Sequence, residues 1–423
     1  MIIRFLYTIG IYIYGFIINL GALLGHKKAK LWVKGRKYQK DIYKKLSPTD
    51  RWIWVHVSSL GEFEQARTVI DGLHIKYSEH KILLTFFSPS GYEIRKNYPN
   101  VDLVLYLPLD VPRNIKRFIS TFLPELAIFV KYDFWFNYLY YLKRNDIPTI
   151  LISANFRPNQ YFFKWYGAYM RRYLKYFDHI FVQNNVSKLL LEKYMILNVT
   201  VAGDTRFDRV YEIANNPLYI PNIETFIDNR FVYIAGSSWP EDEKYILHAI
   251  NKYPEWCYII APHEVHEDRI RKLKSSFNDD CITYSQLKSE NSNFNDVKNK
   301  NILIIDIIGL LSHIYKYANI VHIGNGFGSG IHNILEAAIY GKPIIFGPNY
   351  KKFQEAIDLI NLRGAFSFSN KEEYFDILNI LYNDKIIYNN ACEVSREYVK
   401  SNIGATKIIL NYIDEKIKNY WQI

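Results

Sequence analysis

The sequence predicts an α/β protein with two doubly wound, parallel-sheet domains that face a cleft and follow an N-terminal helix. At 423 residues the chain is too long for one hydrophobic core of ordinary size. From residue 52 onward, short apolar runs alternate with amphipathic stretches, which is the rhythm of strand and helix in a parallel sheet. We therefore expect a helix over residues 1–25 and domains over 26–215 and 216–423, with the last helix free to cross back.

The N-terminal stretch from Phe5 to Leu24 is almost wholly apolar and long enough to cross a bilayer as a helix. Seven lysines and arginines follow between residues 27 and 40, against Arg4 alone before it. By the positive-inside rule this asymmetry keeps the bulk of the chain in the cytoplasm, and the basic cluster suits anionic membrane lipids. We expect a single-pass or monotopic anchor at the cytoplasmic face of the membrane. The alternative is the buried first helix of a soluble domain.

The net charge of +11 indicates an anionic partner, which leaves nucleic acid, anionic lipid and phosphorylated substrates open. Because the basic residues cluster beside the apolar N-terminus and no nucleic-acid motif occurs, we expect no nucleic-acid partner. The three cysteines have neither metal-ligand spacing nor the pattern of a disulfide framework, and they fit a reducing compartment. No HExxH, CxxC or metal-clamping DxD pair is present, so the sequence predicts no metal.

Buried parallel strands are predicted wherever an apolar run of four to seven residues stands between helical stretches. The first series is Trp52–Val57, Lys81–Phe86, Val101–Tyr106, Leu126–Val130, Thr149–Ile152 and His179–Val182. The second series is Phe231–Ala235, Trp256–Ile260, Ile302–Ile305, Ile320–Ile323 and Pro343–Phe346. The polar stretch 279–300 is interpreted as a loop within the second domain. Ligands of such sheets bind beyond the carboxyl ends of the strands, so the turns there are the candidate sites.

In the first domain, the turn HVSSLGE follows the first strand and carries Ser59, Gly61 and Glu62. A carboxylate at this helix start either faces the ligand or is an ordinary solvated charge. Ser90 and Gly91 lie in a similar small-residue turn after the second strand. Asp133, after the fourth strand, can position a reacting group or can simply cap the next helix.

In the second domain, Gly324 to Gly330 contains four glycines at alternate positions between a strand and a helix expected over Ile331–Tyr340. Glycines let a backbone approach a phosphate closely, and a helix N-terminus offers it free N–H groups. Glu336, one turn into that helix, is placed to accept hydrogen bonds from a ribose diol. The alternative is an ordinary flexible loop, because glycine-rich turns are common.

Three further turns carry candidate anion or substrate contacts. Ser237 and Ser238 follow a strand and can meet phosphate, or one of them can cap the next helix with Glu241 completing a capping box. His263 follows the next strand, where a lone histidine is more often structural. Arg206 closes the first domain and can reach an anion or form a salt bridge.

Taken in order, these turns resemble the 3-deoxy-D-manno-octulosonic acid (Kdo) transferases of Gram-negative lipopolysaccharide assembly. The most specific matches are His56–Phe63, Gly203–Asp208 and Gly330–Glu336, followed by Gly236–Ser238 and Lys342–Pro348. The resemblance covers nearly the whole chain, including its apolar N-terminus. It implies the GT-B fold of two Rossmann-like domains and an inverting, metal-independent transfer of Kdo from CMP-Kdo to a lipid A precursor of the lipid IVA type at the inner membrane.

The resemblance also implies roles for individual residues. Glu62 would be the catalytic base with Asp133 beside it, and the turns at Ser59, Gly61, Ser90 and Gly91 would lie on the acceptor side. The residues expected to bind the donor are Arg206, Ser237, Ser238, His263, Gly330, His332, Asn333 and Glu336.

The chain departs from the family pattern at three turns. The family's E-T-E-L-W-P-N reads Lys131 to Asn137 here, with a lysine for the first acid and Asp133 for the second. The P-R-H turn reads Pro262-His263-Glu264, and Ile334 replaces a proline. Two other functions stay open from sequence: a membrane-associated GT-B enzyme that uses a UDP- or ADP-sugar, and a non-catalytic membrane-bound protein that binds lipid or nucleotide.

Overall fold

The computed structural model describes residues 2–42, 50–277, 280–289 and 300–417. The chain forms two compact units, the first from residues 1–209 and 403–423 and the second from residues 210–402. Each unit is built around a seven-stranded sheet, and all described strand pairs are parallel. The predicted α/β class is therefore confirmed in both halves of the chain.

The first sheet has the order β3-β2-β1-β4-β5-β6-β7, the arrangement of a doubly wound fold. Its strands are β1 Trp52–Val57, β2 Lys81–Phe86, β3 Leu103–Tyr106, β4 Pro124–Val130, β5 Thr149–Ala154, β6 His179–Val182 and β7 Val199–Val201. The helices before and between them are α1 Ile2–Leu23, α2 Lys27–Ile42, α3 Leu60–Lys76, α4 Pro89–Arg95, α5 Pro112–Phe122, α6 Phe136–Arg144, α7 Ala168–Leu174, α8 Asn185–Glu192 and α9 Thr205–Asn215.

The central strand β1 is buried at all six positions because helices cover both faces of the sheet. Successive side chains of a strand point to opposite faces, so β1 feeds two separate cores. Trp52 and Trp54 pack with the residues of α5 and α6, whereas Ile53 and Val55 pack with those of α3. The continuous apolar run WIWV in the sequence reflects this two-sided burial.

The second sheet has the order β10-β11-β9-β8-β12-β13-β14. Its strands are β8 Val232–Ser238, β9 Cys257–Pro262, β10 Ile282–Thr283, β11 Ile302–Ile304, β12 Ile320–Ile323, β13 Ile344–Phe346 and β14 Ala365–Ser367. The helices of this unit are α10 Ile223–Ile227, α11 Pro240–Lys252, α12 Glu267–Ser276, α13 Tyr284–Lys288, α14 Leu311–Ile314, α15 Leu335–Ala338, α16 Gln354–Asn361, α17 Lys371–Asn383 and α18 Lys385–Lys400.

Two predictions for the second unit were wrong in part. The stretch 279–300, interpreted as a loop, contains β10 and α13, and residues 290–299 lie outside the described part of the chain. The helix expected over Ile331–Tyr340 begins only at Leu335 and has four residues. Residues 330–334 form a connection without regular secondary structure instead, so a ligand there would meet loop backbone.

The last helix, α19 Ala405–Tyr412, belongs to the first unit. Asp208 accepts hydrogen bonds from the backbone N–H groups of Gly404 and Thr406, at 2.5 and 2.7 Å. The helix then packs on α3, where a methyl group at Gly72 would lie 2.5 Å from the side chain of Leu410. The carboxylate of Asp208 thus fixes the start of a helix that is 196 residues away in sequence.

Candidate active site

Glu62 lies in the first turn of α3, directly after β1, and closes a capping box with Ser59. The Ser59 hydroxyl accepts the Glu62 N–H at 3.4 Å, and Glu62 Oε2 accepts the Ser59 N–H at 3.0 Å. The N–H of Ser58 also donates to Oε2, at 2.7 Å. Among the described residues, the hydrogen bonds that the Glu62 carboxylate accepts all end on Oε2. Oε1 is left for an incoming hydroxyl.

Asp133 follows β4, which is the neighbour of β1 in the sheet, and the residue is 6% exposed. The hydroxyl of Ser58 donates a short hydrogen bond to Asp133 Oδ1. Ser58 consequently holds both carboxyl groups, one through its backbone and one through its side chain. Asp133 is not the cap of the next helix, because Trp135 occupies that position before α6.

His56, on β1, lies beneath this pair and is fully buried. Its Nε2 accepts a hydrogen bond from the Trp135 indole at 2.9 Å, and its Nδ1 lies 2.8 Å from the hydroxyl of Thr85. Burial lowers the pKa of His56 to about 3, with the charge of Arg36 as a smaller cause, so the ring is neutral. A neutral ring that accepts at Nε2 carries its proton at Nδ1.

The two carboxyl groups hold their protons more tightly than free side chains do. Burial raises the pKa of Glu62, although the hydrogen bonds from Ser58 and Ser59 and the charge of Lys131 oppose it. Burial also raises the pKa of Asp133 well above its usual range, and the neighbouring charge of Glu62 raises it further. Paired carboxyl groups with raised pKa values are typical of proton-transfer sites.

Arg206 lies at the start of α9 and pairs with Asp204, which is buried. Its Nε and Nη2 atoms donate to Asp204 Oδ2 at 2.9 and 2.8 Å, and Gln183 donates to the same oxygen at 2.9 Å. Burial alone would raise the pKa of Asp204, but the charges of Arg206 and Lys131 outweigh it and lower that pKa. Arg206 therefore stabilises an ionised aspartate of its own unit, and a donor contact stays a prediction.

The small-residue turns bring α3 and α4 together. Gly91 in α4 is buried, and a methyl group there would lie 2.5 Å from the ring of Phe86 and 3.2 Å from the Leu60 nitrogen. The hydroxyls of Ser88 and Ser90 are 2.7 Å apart at the start of α4. Gly61 is exposed, and a methyl group there would lie 4.0 Å from the Ser59 hydroxyl, an ordinary contact distance. An acceptor role for these turns stays a prediction.

In the second unit, the turn after β8 is organised by Asp242 rather than by the two serines. Asp242 Oδ2 accepts the Trp239 N–H at 2.9 Å and the Asn325 N–H at 2.8 Å. The prediction that Ser237 or Ser238 caps α11 with Glu241 is therefore wrong. Ser238 is 1% exposed and donates its hydroxyl to Glu243 at 3.0 Å. Ser237 has a φ of 54°, a left-handed backbone that is uncommon for serine.

His263 and His332, both predicted to contact the donor, lie in one stack of rings with Trp239. The ring centroid of His263 lies 5.0 Å from that of Trp239 and 4.6 Å from that of His332. His332 Nε2 accepts a hydrogen bond from the Trp239 indole at 3.1 Å. Burial lowers the pKa of His332 to about 4, and the charge of His263 contributes. The neutral His332 ring thus offers an N–H at Nδ1.

Gly330, Asn333 and Glu336 shape the connection before α15. Gly330 has a φ of 137°, and a methyl group there would lie 2.8 Å from the ring of Phe353. Asn333 donates to Glu336 Oε1 at 3.0 Å and accepts the Leu335 N–H at 3.1 Å. The Asn333 side chain thus binds the first N–H of α15, directly before the helix begins. Of these three residues, Glu336 alone lies within α15, in its first turn.

The part of the chain that the structure describes holds no group of three or more His, Cys, Asp or Glu side chains that could bind a metal ion. Glu62 and Asp133 are placed for acid–base chemistry, and the neutral His332 ring offers a hydrogen-bond donor in the second unit.

Comparison with known proteins shows what the chain is similar to. The family model described as 3-deoxy-D-manno-octulosonic-acid transferase (kdotransferase) matches residues 32–209. The 3-deoxy-D-manno-octulosonic acid transferase of Rickettsia prowazekii (strain Madrid E) is 28% identical over 385 residues, covering 88% of this chain and 79% of that protein. The chain is similar to the Kdo transferases over most of its length, so the resemblance predicted from the sequence is confirmed. The predicted enzyme class, a glycosyltransferase, is confirmed as well.

Two further likenesses extend beyond the Kdo transferases. A bifunctional glycosyltransferase/methyltransferase of Fusobacterium nucleatum is 23% identical over 390 residues. That alignment covers 88% of this chain but only 60% of the Fusobacterium protein. The solved UDP-GlcNAc 2-epimerase of Neisseria meningitidis aligns with a TM-score of 0.60 and 17% identity, covering 86% of this chain and all of that one. The latter likeness supports the two-domain fold alone.

Sequence reasoning missed several residues of the candidate site. Ser58, Asp204 and Asp242 each hold two or more groups in place, yet none was selected from the sequence. Ser58 stands in the quoted turn HVSSLGE, so its polarity was the available signal. Asp242 had a signal as well, because an acid three residues after Trp239 fits the second half of a capping box.

Proposed function

We propose that this protein transfers Kdo from CMP-Kdo to a hydroxyl of a lipid A precursor at the cytoplasmic face of the inner membrane, with Glu62 as the general base. The observation that carries the proposal is the pair of carboxyl groups bridged by Ser58, which lies within the residues that match the family model. The similarity to the Kdo transferases supports the donor and acceptor classes.

In the proposed mechanism, Glu62 Oε1 takes the proton of the acceptor hydroxyl as that oxygen attacks the anomeric carbon of Kdo. The bond between the anomeric carbon and the phosphate oxygen breaks at the same time, and CMP leaves from the opposite face, which inverts the configuration. Base assistance of this kind accelerates transfer by about 10²–10⁴-fold. Burial and the charge of Glu62 raise the pKa of Asp133 well above its usual range, which disfavours a second negative charge beside the attacking oxygen.

The departing phosphate gains negative charge and needs hydrogen-bond donors. We assign part of this role to the Nδ1–H of His332, because the ring is neutral and its Nε2 is already occupied by Trp239. The backbone at Gly330 can approach a phosphate closely, since no side chain fills its position. No step requires a metal ion, and we propose that none is used.

The test is to incubate the purified protein with CMP-Kdo and a tetra-acylated lipid A precursor and to weigh the product by mass spectrometry. A product heavier by one or more Kdo residues is expected, and their number gives the stoichiometry. Parallel reactions with UDP- and ADP-sugars address the alternative donors. Turnover of those sugars without turnover of CMP-Kdo would overturn the proposed donor, and an inactive intact protein would favour a binding role.

A further inference from the structure

Helix α1 is fastened to the first unit by polar contacts at its N-terminal end. The Tyr7 hydroxyl donates to Asp110 at 2.6 Å, and the Asn137 amide donates to the hydroxyl of Thr8 at 3.0 Å. Asp110 is fully buried, so Tyr7 reaches into the interior of the unit. These contacts require the first turns of the helix to lie against the protein.

The same face of α1 stays packed as the helix continues. A methyl group at Gly15 would lie 2.7 Å from the side chain of Leu109, and one at Gly21 would lie 3.7 Å from Ala29 in α2. From Tyr7 to Gly21 the helix rises roughly 21 Å at 1.5 Å per residue. The helix is therefore docked along most of its length.

The opposite face of α1 is apolar and exposed. Residues spaced three or four apart along this face are 39–74% exposed: Ile2, Leu6, Ile9, Ile13, Phe16 and Leu20. Among the described residues α1 is also the one helix that is long and apolar enough to cross a membrane by length and composition. A continuous exposed apolar face of this length marks an interaction surface.

The docked face is incompatible with a helix that crosses the bilayer. Leu109 and Asp110, which contact α1, lead directly into α5, whose Arg113 and Lys116 are exposed. If α1 stood upright in the hydrocarbon, these charged neighbours would be carried into it or close to it. Charged side chains are costly at that depth. A helix lying flat avoids this cost, because only its outer face is immersed.

Charge beside the outer face selects anionic lipid as the partner. Helix α2 follows α1 after a three-residue turn and exposes five lysines: Lys27, Lys28, Lys30, Lys34 and Lys37. A groove between α1 and α2 is lined by Ala22, Leu23 and Val33 together with three of these lysines. An apolar floor with a cationic rim fits an acyl chain and its phosphate headgroup.

A second apolar element lies beside the N-terminal end of α1. The ring of Tyr7 is 5.0 Å from Phe136, which in turn is 4.6 Å from Tyr173 in the helix that follows the turn 161–167. That turn exposes Trp165 at 91% and Tyr166 at 60%. An exposed tryptophan at the tip of a turn is typical of residues that enter a membrane interface.

We propose that α1 lies in the plane of an anionic phospholipid bilayer, with its docked face on the first unit and its outer face in the lipid, and that Trp165 enters the same interface. This rests on the membrane location given under the proposed function and specifies its geometry. The helix would then hold the catalytic unit against the membrane surface, where the sugar headgroup of a lipid acceptor is presented.

Depth measurements with nitroxide labels test the orientation of α1. Leu6, Ile13 and Leu20 are replaced one at a time by cysteine and labelled in a Cys392→Ser background, since Cys257 and Cys281 are buried. The labelled full chain is bound to vesicles of phosphatidylethanolamine and phosphatidylglycerol at 3:1. An in-plane helix gives all three labels one depth, to within about one helical turn of 5.4 Å. A spanning helix separates the labels at Leu6 and Leu20 by roughly 21 Å.

Vesicle flotation tests the second contact. Trp165→Asp is expected to weaken binding to the same vesicles by roughly tenfold or more, because it removes a large apolar contact and adds a negative charge. Ile75→Asp is the matched control: Ile75 is 81% exposed at the end of α3, which packs on the other face of the sheet from α1. Equal loss in both variants, or none in Trp165→Asp, would overturn the role of Trp165.

The outcomes separate the geometry from the proposed function. Flotation combined with a depth gradient along α1 overturns the in-plane helix and leaves a membrane-bound transferase. Failure to float, or self-association of the chain through α1 in place of vesicle binding, overturns the lipid partner. Kdo transfer in detergent is measured separately and does not depend on either result.

Discussion

Replacing Glu62 by glutamine removes the proposed base while keeping the shape of the turn. The glutamine Oε1 can still accept the backbone N–H groups of Ser58 and Ser59, which now donate to Glu62 at 2.7 and 3.0 Å. A protein without its general base loses about 10²–10⁴-fold in rate. That loss corresponds to about 2.7–5.4 kcal/mol in the activation barrier.

The folded state itself should change little in this variant. Burial raises the pKa of Glu62, so ionising this group in the folded protein is already unfavourable and removing the charge carries no large penalty. We expect the free energy of unfolding to stay within about 1 kcal/mol of the wild-type value. Glu62→Ala also deletes the cap and should cost about 0.5–2 kcal/mol. The glutamine variant therefore separates catalysis from capping.

Glu64→Gln is the matched control, because it removes a carboxylate from the same helix. Glu64 pairs with Arg95 at 2.7 Å and with Arg67 at 3.5 Å on a partly exposed face. Such pairs contribute about 0–1 kcal/mol, and none of these groups touches the pair at Ser58. The assay is the initial rate of Kdo transfer in detergent at saturating substrates, with unfolding followed in parallel. A Glu62→Gln enzyme within tenfold of wild type, or an equal loss in Glu64→Gln, would refute the assignment of the base.

Folding raises the pKa of Asp133, so the free energy of unfolding falls as pH rises through that pKa. Asparagine does not titrate. The melting temperature of Asp133→Asn should therefore increase relative to wild type as pH increases from 5 to 8. Lys131→Met should move the acid limb of kcat/KM for transfer to higher pH, because the lysine charge lowers the pKa of Glu62; an unmoved limb would contradict this. Gly330→Ala should raise the KM for CMP-Kdo by roughly tenfold, since a φ of 137° and the nearby Phe353 ring disfavour a methyl group; kcat serves as the internal reference.

The strands were predictable because burial on both sides leaves apolar runs that hydropathy alone detects. Each of the eleven predicted strands corresponds to an observed strand: four have the predicted bounds, and the other seven differ by one to three residues at one or both ends. The three that were missed, Val199–Val201, Ile282–Thr283 and Ala365–Ser367, have only two or three residues and pair with one neighbour each at sheet edges. A run that short carries no periodicity to read.

The start of α15 could not be predicted from periodicity because local polar groups decide it. Ile331, Ile334 and Leu335 have helical spacing, yet Asn333 binds the Leu335 N–H and His332 donates its own N–H to Gly324 at 3.3 Å. Side chains of this kind compete with the helix for backbone groups. The bridge from Ser58 to Asp133 spans 75 residues, so only the parallel pairing of β1 with β4 brings those two groups together.

Each unit contains a buried aspartate beside a buried histidine, but the pKa of the aspartate is raised in one unit and lowered in the other. Asp133 Oδ2 lies 3.6 Å from His56 Nε2, and Asp242 Oδ1 lies 3.6 Å from His322 Nε2, each pair being buried. Burial by itself would raise the pKa of both aspartates. At Asp242, the interaction with His322 and the hydrogen bonds from the Asn325 and Trp239 N–H groups outweigh burial, so the pKa of Asp242 is lowered.

At Asp133 the hydrogen bonds from Ser58 do not compensate for burial and the charge of Glu62, so its pKa is raised. Asp242 is thereby fixed as an anion that ties the turn after β8 to the glycine-rich loop through the Trp239 and Asn325 N–H groups. The raised pKa of Asp133 favours its protonated form beside Glu62, which is the arrangement that the proposed base requires. The number of backbone N–H groups that face each carboxylate thus separates Asp242, which ties two loops together, from the pair proposed to react.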